Sequence, residues 1–270
     1  INANDIATFG VEPAFFLSCI LLPENSTREI VEAISVQIDK AAKKLGMAII
    51  GGHCEATPGL DHPVVVGSSI GIAENGKYVT SGGAKTGNKI IMTKGAGIEG
   101  TAILASDRRD TLLKVFDERF LKKAEDFFTK ISVVKEALIA FRTGGVSAMH
   151  DPTEGGLAGG LHEMADASEV GFRIYEEKIL ISEETKRVCA HFGIDPLRLI
   201  SSGTLLIAAK NEKTDEIMTS LSQNGVYAAV IGEMTKPDLG RRMVTRTGER
   251  ELTRPVSDHL WEALAKRFEK

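Results

Sequence analysis

Asp151-Pro152-Thr153-Glu154-Gly155-Gly156-Leu157-Ala158-Gly159-Gly160-Leu161 sets a carboxylate and a hydroxyl beside four glycines where helical spacing begins. Leu157, Leu161, Met164 and Ala165 recur at the helical period, so Asp151 and Thr153 fall beside the free N–H groups of a first turn. Such a turn attracts anions, and a carboxylate next to it can hold Mg²⁺ on a phosphate. The same residues describe equally well a helix capped by Asp151 or Thr153, with glycines that only permit close packing.

Working outward, strands and helices alternate in two blocks. In the first, Ser26-Thr27-Arg28-Glu29 reads as a capping box for a helix with apolar positions from Ile30 to Leu45 and Gly46 as terminator. Residues 47–50 read as a buried strand ending at a turn, Gly51-Gly52-His53-Cys54-Glu55. Residues 64–73 read as another strand before an Asn75-Gly76 turn. A composition shift at Ser81-Gly82-Gly83-Ala84-Lys85-Thr86-Gly87 marks a domain boundary.

In the second block, residues 89–93 form a strand, followed by a glycine loop and long helical patterns over 112–128 and 133–141. After the Asp151 stretch come a helix near 183–191, Pro196, a strand over 204–209, a helix over 214–221 and a strand over 227–231. A tail helix begins near Ser257, which caps it. The expected fold class is mixed α/β (α+β), two domains each built as a mixed sheet packed with helices.

Composition excludes several function classes. With 43% hydrophobic residues over 270, the chain has enough apolar material for a real core. A net charge of −4 leaves no basic footprint for nucleic acid. Cys19, Cys54 and Cys189 are widely spaced and contain no C-x-x-C pair, which favours a reducing, cytoplasmic setting over a disulfide framework or structural zinc. No apolar run reaches membrane-spanning length.

Gly95-Ala96-Gly97-Ile98-Glu99-Gly100 matches the dinucleotide spacing G-x-G-x-x-G, and so raises a dinucleotide-dependent oxidoreductase as an alternative. That fingerprint requires a second strand ending in an acid about 20 residues on, whereas residues 112–120 have helical spacing. What survives is an anion-binding turn at Thr93, Lys94, Gly95 and Gly97, against a tight turn with no ligand. His162-Glu163 begins H-E-x-x-H but meets Asp166 at the second histidine position, and so reads as a solvated helical face. Arg241-Arg242 reads the same way. His53, Cys54 and Glu55 offer metal-ligand types without a distant matching pair, and His53 equally suits a hydrogen-bonded strand end.

Three ordered motifs carry a family resemblance across nearly the whole chain: Asn2-Ala3-Asn4-Asp5-Ile6-Ala7-Thr8-Phe9-Gly10-Val11-Glu12-Pro13, Gly51-Gly52-His53-Cys54-Glu55, and Asp151-Pro152-Thr153-Glu154-Gly155-Gly156-Leu157. Together they resemble the aminoimidazole ribonucleotide (AIR) synthetase superfamily, which includes selenophosphate synthetase, thiamine monophosphate kinase and the hydrogenase-maturation protein HypE. Leu199-Ile200-Ser201-Ser202-Gly203-Thr204-Leu205 adds similarity to its AIR synthase-related, HypE-like branch.

The resemblance implies an ATP- and Mg²⁺-dependent enzyme that phosphorylates or activates an oxygen or similar nucleophile of a small molecule or carrier group. It implies an ATP-binding and dimerisation domain over residues 1–85, a second domain over 86–270, and a homodimer. Asp5 and Asp151 match acids that face Mg²⁺ and the nucleotide phosphates. Phosphoryl transfer needs metal-holding carboxylates and donors around developing charge. Asp5, Glu55 and Asp151 are the expected metal ligands, and Asn4, Asp5, Gly51, Gly52, His53, Lys94, Gly95, Gly97, Asp151 and Thr153 the expected ATP or phosphate contacts.

Several features depart from the family pattern. His53 stands where several relatives have an acid, which either moves the expected ligand to Glu55 or weakens metal binding. HypE ends in a substrate-carrying cysteine, whereas this sequence ends Arg267-Phe268-Glu269-Lys270, so HypE-type chemistry is not expected. Because Ile1 already lies inside a motif, a further N-terminal segment is expected, bearing the family's glycine-rich nucleotide loop and any nucleophilic cysteine. A nucleotide-binding regulator or maturation partner without turnover is the alternative to an enzyme.

Overall fold

The chain enters through α1 (Asn2–Ala7) and builds a three-stranded sheet from β1 (Pro13–Leu22), β2 (Ala48–Ala56) and β3 (Val64–Gly71), ordered β2-β1-β3. The computed structural model describes residues 1–266; the chain end that bears on a terminal cysteine lies outside the described residues. Between β1 and β2, α2 (Arg28–Leu45) carries the chain back so that the two strands run parallel, and β3 returns antiparallel to β1. Gly46 ends α2 in the left-handed conformation that its position as terminator implied. At the other end the N-cap is Thr27 rather than Ser26, and no side chain caps the helix.

The expected buried strand over 47–50 is corrected by β2, which continues through Gly51 and Gly52 to Ala56 and is exposed throughout. The glycines therefore lie inside a strand, not in a turn at its end. Ile50 is an extra residue, since Phe16 pairs with Ile49 and Leu17 with Gly51. Beyond this bulge, a Cβ at residue 52 would stand 2.2 Å from the Ser18 carbonyl oxygen, which explains the second glycine.

After β3 the chain passes through Ser81–Gly83, a short 3₁₀ turn packed hard against its surroundings. A Cβ at Gly83 would lie 2.1 Å from the Ser147 carbonyl oxygen, and one at Gly82 would lie 2.6 Å from that of Ala167. This is a close-packed connection, unlike a mobile linker.

The second sheet has seven strands: β4 (Lys89–Thr93), β5 (Val146–His150), β6 (Gly171–Tyr175), β7 (Leu206–Ala209), β8 (Ala228–Thr235), β9 (Arg241–Thr245) and β10 (Gly248–Glu251), ordered β10-β9-β6-β8-β4-β7-β5. Its central strands are apolar on both faces because helices cover both. Ile90 and Met92 of β4 join Leu157, Leu161 and Met164 of α7 (Gly156–Ala167). Ile91, pointing the other way, joins Ala137 and Ala140 of α6 (Val134–Thr143) and Ile217 and Leu221 of α9 (Thr214–Gln223). Ala3, Ala7, Ala42 and Met47 belong to that second cluster, so the small sheet and the large one share a core.

A third cluster joins Leu104 of α3 (Ile98–Asp107), Leu112 of α4 (Arg109–Leu112), Leu121 of α5 (Glu118–Glu125), Phe192 of α8 (Glu183–Phe192) and Leu260 of α10 (His259–Ala265). The helix expected over 112–128 is thus broken, because the Asp117 side chain accepts from the Phe120 N–H at 2.7 Å and starts α5 afresh. The tail helix is capped by Asp258 instead of Ser257. No helix among the described residues is long and apolar enough to cross a membrane.

Candidate functional site

Strand direction gathers the motifs at one edge of the large sheet. Since β4 is antiparallel to both β7 and β8, and β5 is antiparallel to β7, the C-terminal ends of β4 and β5 meet the N-terminal ends of β7 and β8. The loops at Thr93 to Gly97, Asp151 to Gly155 and Ser201 to Leu205 consequently interlock. Gly97 donates its N–H to Ser201 Oγ at 2.8 Å, Thr204 donates its hydroxyl to the Gly95 carbonyl at 2.6 Å, and Ser201 donates its N–H to the Thr153 carbonyl at 3.2 Å.

This topology removes the dinucleotide reading, because β4 has no parallel neighbour and Gly95 to Gly100 lies outside any β-α-β unit. The amides of Lys94, Ala96, Gly97 and Gly100 donate to Tyr227, Leu180, Ser201 and Ile200 respectively. The turn at Gly95 and Gly97 is therefore largely satisfied by protein. Lys94 also turns inward, onto the carbonyls of Lys130 and Ser132.

The start of α7 differs from both sequence readings of its cap. Gly155, at φ +75°, is the N-cap, and neither Asp151 nor Thr153 caps the helix. The N–H of Gly155 instead donates to Asp258 Oδ2 at 2.7 Å, a carboxylate from the far end of the chain. Gly156 is also left-handed, at φ +63°, and a Cβ there would stand 2.5 Å from the Leu199 carbonyl oxygen and 2.7 Å from that of Leu197. Gly156→Ala is expected to lower stability by about 3 kcal/mol, combining backbone strain with a clash against two fixed carbonyls. A shift in the urea midpoint measures it, and an unchanged midpoint contradicts this packing.

With its capping task taken over, Asp151 is left as a buried carboxylate, 5% exposed, whose Oδ2 has no hydrogen-bond partner. Burial, with the nearby negative charge of Asp5 adding to it, pushes its pKa up to about 6. Burial likewise raises that of Asp5, at the outer side of α1, while the charge of His150 opposes the rise. The two carboxylates thus repel each other, the charge of His150 acts against the rise in both, and neither forms an ion pair among the described residues.

His150, which was not among the expected site residues, sits beside this pair and hydrogen-bonds Glu163 through Nε2 at 2.7 Å. Its position immediately before Asp151, with Glu163 near the middle of the following helix, was the available signal. A cleft of about 160 Å³ lies alongside, lined by Glu154, Glu163, Arg254 and Ser257 among others.

Asn4 is buried, and both ends of its amide are engaged: Nδ2 donates to the Ile131 carbonyl at 3.0 Å, and Oδ1 accepts from the Val133 N–H at 2.9 Å. Thr153 uses its carbonyl to receive the Gly156 and Ser201 N–H groups.

Gly51, Gly52, His53 and Glu55 are not brought to this edge of the chain. They lie on β2, whereas α1 attaches to β3 at the opposite side of the small sheet, through Asn2 Nδ2 and the Gly67 carbonyl. His53 and Glu55 pair with each other at 3.2 Å on the exposed surface.

The solvated-face reading of residues 162 and 241 is also corrected. His162 is buried, donating through Nε2 to the Leu252 carbonyl at 2.8 Å and accepting from Arg241 at Nδ1, while Arg241 also pairs with Asp166.

Among the described residues no group of three or more His, Cys, Asp or Glu side chains could hold a metal ion. Two carboxylates are nevertheless the donor set that suits Mg²⁺, which keeps several waters and takes its other ligands from phosphate. The orphaned Asp151 Oδ2 supplies an anionic oxygen in need of a cation.

Residues 85–244 match the family described as AIR synthase related protein, C-terminal domain, and residues 1–73 match the corresponding N-terminal domain. A Methanocaldococcus jannaschii protein named for hydrogenase expression and formation is 31% identical over 265 residues, covering 95% of this chain and 75% of the relative. The carbamoyl dehydratase HypE of Rhizobium leguminosarum bv. viciae is 28% identical over 239 residues, covering 87% of this chain and 66% of its own length. A crystal structure of HypE in complex with ATP shares the fold, with a TM-score of 0.80 at 20% identity, covering 96% of this chain and 78% of that one.

Proposed function

Given that the chain belongs to the AIR synthase related protein family, we propose that it is an ATP- and Mg²⁺-dependent enzyme that phosphorylates or activates an oxygen or similar nucleophile on a small molecule or carrier group. The observation that carries this reading is the convergence of Asp5 with Asp151, whose buried Oδ2 lacks a partner. Asp5 and Asp151 hold the cation from the protein side, Asp5 from a helix at the surface and Asp151 from an interlocked loop. Bound Mg²⁺ supplies charge neutralisation on the transferring phosphoryl group. The similar fold of an ATP-bound HypE adds support from outside the chain.

In this reading residues 1–85 form the nucleotide-binding and dimerisation domain and residues 86–270 the second domain. The small sheet leaves Ile49, Ile50, Val65, Val66 and Ile70 exposed at 42–55%, an apolar surface suited to a second copy of the chain. Lys94, Gly95, Gly97 and Asn4 act mainly by shaping the edge.

Thermal melts with MgATP, NAD or FAD test the reading, since a ligand that binds only the folded state raises its stability by roughly 2.7 kcal/mol at a hundred times its Kd. MgATP is expected to raise the midpoint by about 5 °C, with the dinucleotides inert. Stabilisation by NAD or FAD and not by MgATP contradicts it. ADP release in the presence of a nucleophile separates an enzyme from a nucleotide-binding regulator.

A further inference from the structure

Lys94 closes β4 at φ +55°, a left-handed conformation uncommon for a residue with a Cβ. Its side chain is only 20% exposed, and its ammonium hydrogen-bonds two carbonyls and pairs with one carboxylate. The carbonyls of Lys130 and Ser132 lie at 2.8 and 2.6 Å, and the Glu136 carboxylate, itself 4% exposed, lies at 2.6 Å. Two of its three N–H donors are thus held by backbone carbonyls, and its charge is paired with a buried carboxylate.

The residues that alternate with these are gripped by Asn4, through the Ile131 carbonyl and the Val133 N–H. The strap from Lys130 to Val133 is therefore clamped between Lys94 on the sheet edge and Asn4, the neighbour of Asp5. A third element confines it, since a Cβ at Gly203 would lie 2.8 Å from the Lys130 carbonyl oxygen.

The clamp resists a specific force. Asp5 and Asp151 carry like charges, and α1, only six residues long, is too short to hold its place without tertiary contacts. We propose that Lys94 is a positioning residue of the Asp5 and Asp151 site: by gathering the Lys130 and Ser132 carbonyls and Glu136 it fixes the strap that Asn4 grips, and so sets where α1 delivers Asp5. The inference rests on the reading of those two carboxylates as a metal–nucleotide site.

Lys94→Met alone leaves Glu136 as a buried unpaired charge and is expected to lower stability as well as binding. The decisive protein is Lys94→Met/Glu136→Leu, which removes both charges together. Calorimetric titration of this variant is expected to show MgATP bound at least roughly tenfold more weakly than by wild type, as when a supporting partner of a metal ligand is removed. Its ligand-free midpoint recovers relative to Lys94→Met, and its affinity for ATP in EDTA stays at the wild-type value.

A loss confined to the metal-dependent affinity is what a merely structural lysine does not produce. Asn4→Ala, which opens the clamp from the helix side, is expected to give the same signature and serves if the double variant does not fold. Wild-type MgATP affinity in these variants, with loss of affinity in Asp151→Asn, overturns the inference and leaves the site standing. Wild-type affinity in Asp151→Asn as well overturns both.

Discussion

Asp151→Asn is expected to make the ligand-free protein more stable at pH 7.5, by about 1–2 kcal/mol or about 2–6 °C, while weakening its stabilisation by MgATP. The cause is the raised pKa of a carboxylate that is buried, faces Asp5 and leaves one oxygen unbonded. Taking 3.8 for the unfolded chain and about 6 for the folded one, folding binds a proton between those values. The stabilising contribution of protonated Asp151 is complete below about pH 4 and is lost as pH rises through about 6. The difference corresponds to on the order of 3 kcal/mol, of which an asparagine recovers part because its own amide still lacks a full set of partners. The advantage of the variant should therefore shrink as pH falls from 7.5 towards 5. Paired melts across that range measure it. A variant less stable than wild type at pH 7.5 contradicts the electrostatic account.

Asp258→Ala is expected to cost about 2–4 kcal/mol, because one carboxylate serves two helix starts. Its Oδ2 accepts from the Gly155 N–H at 2.7 Å and its Oδ1 from the Leu260 N–H at 2.7 Å, with the residue 4% exposed. Truncation leaves the Gly155 N–H buried without an acceptor and loosens α10, which supplies Leu260 and Ala263 to the third core cluster. Asp258→Asn keeps one acceptor oxygen and should cost about half as much. Urea unfolding of the two variants gives the comparison, and a loss under about 0.5 kcal/mol in Asp258→Ala contradicts the double cap. Because Gly155 ends the Asp151 loop, weaker MgATP stabilisation should accompany the stability loss.

Local pattern carried much of the fold. Residues 89–93 have β-branched and apolar character on both faces, and β4 occupies those positions. Gly46 announced the end of α2. What pattern could not supply were elements defined by distant partners. The strands β9 and β10 are rich in Arg and Glu and pair at the far edge of the large sheet. Residues 51–55 have turn composition, yet pairing with β1 draws them out as a strand.

The same division runs through the site. Asp5 and Asp151 each lie in a distinctive local motif that makes them candidates from the sequence, while the cap of α7 has no local signal, since Asp258 comes from 103 residues away. Lys94 looked like a phosphate cation beside glycines. Only the tertiary fold brings the carbonyls of Lys130 and Ser132 to it. Glu55 is expected with the acids only through the family resemblance, as a substitute for the acid that His53 replaces, but strand order places it on the side of the small sheet away from α1.

Titrating MgATP calorimetrically into wild type, Asp5→Asn and Asp151→Asn tests most directly the claim that these two carboxylates hold the metal. Saturable binding to wild type is predicted, with affinity at least roughly tenfold lower in each variant, while ATP in EDTA binds all three alike. MgATP affinity unchanged in both variants would contradict the account.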